Sequence, residues 1–121
     1  MTVFDASALL AVVKQEAGGR RVAGMLDESA TVSAANWAEV AQKVRQAGLD
    51  WPEIRAILFS FGLDVEPVDS LDAERAAEMW DLVRSLSLAD RLCLALGERL
   101  GEPVVTADRA WAGLPGVTVI R

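Results

Sequence analysis

The chain contains no histidine and no tyrosine. That excludes His-based catalytic triads, His-ligated zinc and phosphohistidine chemistry. One cysteine, Cys93, cannot close an internal disulfide, and its place in an apolar helical run suits core packing in a reducing cytosol rather than nucleophilic work. Lysine is almost missing, with Lys14 and Lys43 the only two. Gly18-Gly19 therefore lacks the lysine and spacing of a phosphate-binding loop and reads as a turn. No stretch approaches the roughly 20 uninterrupted apolar residues that a membrane span needs. No basic stretch followed by an apolar one opens the chain, so no signal peptide is expected and a cytoplasmic protein follows. Repeats, linkers and low-complexity segments are also missing, which predicts one domain over residues 1–121.

What is present is an ordinary globular composition, 52% hydrophobic and 25% charged, in 121 residues. The formal net charge of −6 runs against simple phosphate-backbone binding. A cluster of metal-binding acids would contribute to that negative total. Most of the basic charge is arginine, the better fork for phosphate. Chemistry here must come from carboxylates, hydroxyls, Arg, Lys or a borrowed metal.

The elements alternate. Thr2-Val3-Phe4 predicts a strand, followed by a helix from Ala6 to about Gln15 and a short helical piece from Arg20 to Leu26. Thr31-Val32-Ser33 predicts a second strand, and Ser33 caps a helix to about Ala47 whose stripe is Trp37, Val40, Ala41 and Val44. Asp50-Trp51-Pro52-Glu53 has a capping acid and a first-turn proline, opening a helix to about Phe61. Val65 to Val68 is a weak third strand, with Pro67 favouring an edge or the strand's end. Asp69 or Ser70 opens a long helix to about Leu86, with Met79, Leu82, Val83 and Leu86 as its buried stripe. Ser87 to Asp90 starts another, apolar on nearly every side, to about Leu100. Val104 to Thr106 is a fourth strand, Asp108 to Trp111 a turn of helix, and Val117 to Ile120 a fifth strand. Strands alternating with helices predict an α/β fold, a mostly parallel sheet covered on both faces.

Four acids stand at suggestive places. Asp5 and Asp108 each follow an apolar strand, at the carboxyl edge where open α/β sheets bind ligands. Asp90 and Glu39 lie in early turns of helices. Each has a structural explanation alone: Asp5 and Asp108 as N-caps, Asp90 in a capping box with Ser87, Glu39 paired with Lys43 four residues on. Together they suggest a shared divalent cation, since convergent carboxylates repel unless a cation joins them, and Mg²⁺ and Mn²⁺ favour oxygen ligands. Water on such an ion is a nucleophile that needs no histidine. Ser7 and Thr106 offer hydroxyls to orient a carboxylate or a water. Two other acidic α/β folds fit poorly. A receiver domain needs adjacent acids after its first strand and a late lysine, whereas Asp5 is flanked by Phe4 and Ala6. A haloacid-dehalogenase-type phosphatase needs an aspartate where Ser7 stands.

Val-Phe-Asp-Ala-Ser-Ala-Leu around Asp5, Asn-Trp-Ala-Glu-Val around Glu39, Leu-Ser-Leu-Ala-Asp-Arg-Leu-Cys-Leu-Ala-Leu-Gly around Asp90 and Val-Val-Thr-Ala-Asp-Arg-Ala-Trp around Asp108 resemble the PIN-domain ribonucleases. Within that family the likeness is to the VapC toxins of toxin–antitoxin pairs, and it covers the whole chain in order. The resemblance implies a three-layer α/β/α sandwich with a five-stranded parallel sheet, a Mg²⁺ or Mn²⁺ site and endonucleolytic cleavage of RNA. It also implies a homodimer and a VapB-type antitoxin whose C-terminal segment lies in an apolar groove. Trp37, Trp51, Phe59 and Phe61 are the material for such a groove. Carried over by position, Asp5, Glu39, Asp90 and Asp108 become the metal-binding and catalytic acids, supported by Ser7 and Thr106. Arg91 and Arg109 are the expected phosphate contacts. Some relatives have a further acid just after the fourth; here Arg109 and Ala110 stand there, which leaves one ion or two open. The alternatives are a catalytically silent PIN-like binding module and another Mg²⁺-dependent phosphohydrolase on a Rossmann-like sheet.

Overall fold

The computed structural model describes all 121 residues. Five short strands form one sheet: β1 (Thr2–Phe4), β2 (Ala30–Ser33), β3 (Asp64–Glu66), β4 (Val104–Thr106) and β5 (Val117–Val119). All pairings are parallel and the spatial order is β3-β2-β1-β4-β5. Six helices connect them: α1 (Ala6–Val13), α2 (Gly19–Met25), α3 (Ala34–Gln46), α4 (Trp51–Ser60), α5 (Ser70–Glu78) and α6 (Leu88–Leu100).

Alternation along the strands builds two cores. Side chains one residue apart point to opposite faces. Phe4, Val32 and Val105 therefore join Leu9, Leu10, Val22, Val40, Val44 and Leu58 on one face. Val3 and Val104 join Leu86, Cys93, Leu96 and Trp111 on the other. Covered on both faces, the sheet is the middle of an α/β/α sandwich, as the alternating elements predict. No helix is long and apolar enough to cross a membrane.

Several boundaries move for identifiable reasons. Helix α1 ends two residues early because Gln15 takes a left-handed φ of 53°. Strand β3 stops before Pro67, which has no N–H for the ladder, and it does lie at an edge. The expected long helix to Leu86 is broken. Helix α5 ends at Glu78 and a single 3₁₀ turn, Met79–Asp81, follows. Met79 and Leu86 are buried as expected, but Leu82 is 72% exposed. The break coincides with a contact from far along the chain: Arg91 Nη1 donates to the Ala76 carbonyl at 2.7 Å, near the end of α5.

Helix α5 is fixed against α6 by charge. A capping box joins Asp69 and Asp72, and the same buried Asp72 accepts two bonds from Arg99, Nε to Oδ1 at 2.8 Å and Nη2 to Oδ2 at 3.1 Å. Arg75 meets Glu98 in a second two-pronged pair at 2.8 and 3.1 Å.

Helix α6 sits close on β4 at Gly97, where a Cβ would come within 2.5 Å of Val104 Cγ2. Alanine is the better helix former by about 1 kcal/mol. Overpacking a stiff, buried valine costs about 1–3 kcal/mol. Gly97→Ala is therefore expected to destabilise the protein by about 1 kcal/mol in urea unfolding; a gain in stability would show that α6 can shift freely on β4.

Candidate active site

The β1–β4 register places Asp5 and Thr106 side by side. Phe4 pairs with Val105, so the next residues on each chain, Asp5 and Thr106, meet at the carboxyl edge. The backbone N–H of Asp5 donates to the Val105 carbonyl at 3.1 Å. The Asp5 side chain then caps α1, its Oδ1 accepting the Ala8 N–H at 2.9 Å. Thr106 Oγ1 donates to Oδ2 at 2.6 Å, and Ser7 Oγ lies 2.8 and 2.9 Å from the two oxygens. Both hydroxyls are held in turn, Ser7 Oγ by the Ala107 N–H at 3.0 Å and Thr106 Oγ1 by the Asp108 N–H at 3.0 Å. The expected support from Ser7 and Thr106 is thus present in detail.

Asp5 is 3% exposed. Burial pushes its pKa up from 3.8 to about 6, against the lowering effect of Thr106, Ala8 and Ser7, and the charge of Asp90 adds to the rise. Glu39 is raised too, first by burial and then by Asp90, with Lys43 pulling the other way. Cys93 lies wholly buried on α6. Its thiol is pushed well above its usual range by burial first, then by Asp5, Asp90 and Glu39 in that order. Burial and the charges of all three carboxylates thus oppose loss of its proton. A thiol so placed stays protonated and inert.

Asp90 and Asp108 remain partly committed to their own segments. Asp90 Oδ2 accepts the Ser87 N–H at 3.1 Å while Ser87 Oγ accepts the Asp90 N–H at 3.1 Å, the expected capping box. Asp108 Oδ1 accepts the Ala110 N–H at 2.9 Å and its side chain is exposed. No three acidic side chains stand together at metal-ligating spacing. The donor set is nevertheless carboxylate and hydroxyl oxygen alone, with mutual repulsion still unrelieved. That chemistry fits Mg²⁺ or Mn²⁺, hard ions that retain several of their waters and need few direct protein ligands.

The two arginines part company. Arg109 is exposed directly after Asp108. Arg91 is 9% exposed and turned inward onto the Ala76 carbonyl, so the expected phosphate contact is corrected to a tie between α6 and α5. The residue that sequence reasoning missed is Asn36. It is fully buried in the first turn of α3, and its Nδ2 donates to the Ala89 carbonyl at 3.3 Å. Its Oδ1 has no partner. The available signal was its spacing, three residues before Glu39 and hence on nearly the same helix face.

The aromatic group is half-buried on α3 and α4. Trp37 meets Trp51 edge-on at 5.0 Å and Phe59 at 5.2 Å, and Arg55 lies 4.6 Å over Phe59. Trp37, Trp51 and Phe61 pack against the larger core, so part of the surface expected for a groove is already used internally.

A model of the PIN domain family matches residues 2–116. This chain belongs to the PIN domain family. Among solved structures, this PIN domain is similar to a toxin–antitoxin complex from Klebsiella pneumoniae, at TM-score 0.85 and 19% identity over 100% of this chain and 98% of that one. It is also similar to Mycobacterium tuberculosis VapC20, described as a sarcin–ricin-loop-cleaving toxin, at 0.77 and 20% over the full length of both. A third likeness is to DNA-bound VapBC from Salmonella typhimurium, at 0.71 and 15% over 98% and 95%. No curated protein matches it by sequence. At these identities the structural likenesses establish the fold.

The raised pKa of Asp5 has a stability consequence in the metal-free PIN domain. Its folded value of about 6 lies above the ordinary 3.8, so the folded state binds the proton more tightly and stability falls as pH rises between those values. The full cost, about 3 kcal/mol, is present above pH 6 and shrinks below about 1 kcal/mol near pH 4. Asp5→Asn removes this ionisation. The difference in unfolding free energy between variant and parent should move toward the parent by about 2 kcal/mol from pH 7 to pH 4. A difference independent of pH would mean that Asp5 is not a buried, cation-seeking carboxylate.

Proposed function

We propose that this PIN domain is a metal-dependent endoribonuclease, the toxin of a VapBC-type pair. The observation that carries the reading is the buried Asp5 carboxylate, held by Ser7, Thr106 and the α1 N-terminus and acted on by the charge of Asp90. Asp5, Glu39, Asp90 and Asp108 are the residues that would hold Mg²⁺ or Mn²⁺. When bound, such an ion supplies a nucleophilic water at neutral pH and stabilises charge on the phosphate.

The chain's own residues do the rest. Ser7 and Thr106 fix the Asp5 carboxylate in one orientation, so little reorganisation accompanies binding. Asp90 and Asp108 each keep one oxygen outside the caps described above. Arg109, exposed beside Asp108, would pair with an RNA phosphate and supply the positive charge that the acidic edge lacks. The RNA class is supported by the family and by the printed description of VapC20 as a toxin that cleaves the sarcin–ricin loop. The antitoxin partner is supported by the likeness to complexes in which a toxin and antitoxin are seen together. We further propose a homodimer acting in the cytoplasm, where both substrate and antitoxin reside.

Cleavage of a mixed RNA pool with and without Mn²⁺ tests the enzyme directly. The parent should cut only with metal, and Asp5→Asn should lose at least about 100-fold in rate while keeping its fold by circular dichroism. An Asp5→Asn protein that cuts like the parent sinks the assignment. RNA binding with no cleavage under any metal would instead favour the silent binding module.

The antitoxin half has its own test. Co-expression with the small neighbouring gene should yield a complex that survives purification and restrains cleavage, through an apolar segment that brings a basic side chain to the acids. If the two proteins do not associate, the toxin–antitoxin half is wrong and the nuclease half stands on the RNA experiment.

A further inference from the structure

We infer that Asn36 is a positioning residue for the metal site: it ties α3 to the first turn of α6 and so fixes Glu39 and Asp90 relative to one another. This rests on the metal-dependent reading above. The tie is the bond from Asn36 Nδ2 to the Ala89 carbonyl at 3.3 Å. Ala89 directly precedes Asp90, and Asn36 precedes Glu39 by three residues on α3. The one bond therefore reaches to within a turn of both acids.

Stability does not account for an asparagine here. Its side chain is 0% exposed, and Oδ1 has no hydrogen-bond donor at all. Reversing the amide would set two carbonyl oxygens against each other at Ala89, so the orphaned acceptor does not depend on how the amide is oriented. One long hydrogen bond offsets little of what a buried, unpaired acceptor loses, and an apolar group of the same shape avoids the loss. Leucine is nearly that shape. An asparagine in its place serves something other than the core.

What it serves follows from charge. Glu39 and Asp90 repel, and Asn36 bridges the same two helices, α3 and α6, that carry them. Apolar packing alone is non-directional and would let the two helices slide to relieve that repulsion. A hydrogen bond to one particular carbonyl fixes their relative position before any cation arrives. This is the usual way in which residues behind a metal site raise its affinity.

The test compares the metal-free full chain with Asn36→Leu and Asn36→Ala in two measurements: the melting temperature without metal, and Mn²⁺ affinity from the electron paramagnetic resonance signal of free Mn²⁺. Asn36→Leu should melt at or above the parent yet bind Mn²⁺ about tenfold more weakly. Asn36→Ala should lose similar affinity even though its cavity lowers the melting temperature. Parent-like Mn²⁺ affinity in Asn36→Leu overturns the inference and leaves the metal-dependent reading in place. So does an affinity loss seen only in whichever variant melts lower, which would make Asn36 an ordinary packing residue. A parent that binds no Mn²⁺ removes the metal-dependent reading, and the inference falls with it.

Discussion

A carboxylate buried at the junction of two central strands is the constraint on which this structure turns. Taking Asp5 out of water is costly, and the charge of Asp90 makes it costlier. Three donor groups from two segments offset part of that cost: the Ala8 N–H and the Ser7 hydroxyl in the first turn of α1, and the Thr106 hydroxyl at the end of β4. The sheet register, the start of α1 and the end of β4 are thereby tied to one side chain. Substituting any of the three would alter an interaction that helps join β1 to β4, as well as the chemistry at the edge.

The remaining acids are brought in by helices, and the helices are located by contacts that have nothing to do with acids. Helix α6 is the clearest case. Gly97 lets it lie close to β4, Arg91 binds the end of α5, and Arg99 grips Asp72. These contacts seat α6 on the sheet and on α5, and the Asn36 bond to Ala89 joins its first turn to α3. Cys93, buried on the same helix, stays protonated and uncharged.

Local features were legible in the sequence and distant ones were not. The strand-ending acids, the hydroxyls two residues from them and the capping boxes all rest on neighbours a few residues apart, where spacing is a direct guide to geometry. The break after α5 coincides with the contact from Arg91, fifteen residues beyond its Ala76 partner. Periodicity at Met79, Leu82, Val83 and Leu86 cannot register such a contact, so a continuous helix was the natural reading. Arg91 itself looked available because it follows Asp90, although adjacent residues on a helix point about 100° apart. Asn36 was hidden for the same reason: its partner lies 53 residues away, and asparagine in a first helical turn ordinarily faces water. Trp37, Trp51 and Phe59 were legible as an aromatic group but not as one already packed upon itself.

Capping by the aspartates has a consequence for how such a chain changes over generations. Asp5 and Asp108 each accept a backbone N–H as the N-cap of a helical segment. Asparagine caps a helix about as well as aspartate, whereas glutamate does not reach the same hydrogen bond. The neutral amide is therefore the substitution that folding tolerates best and, on the proposed reading, the one that metal binding tolerates least. On that reading a single such change silences the site without losing the protein, and drift toward glutamate at these two caps is resisted by architecture before it is tested by function.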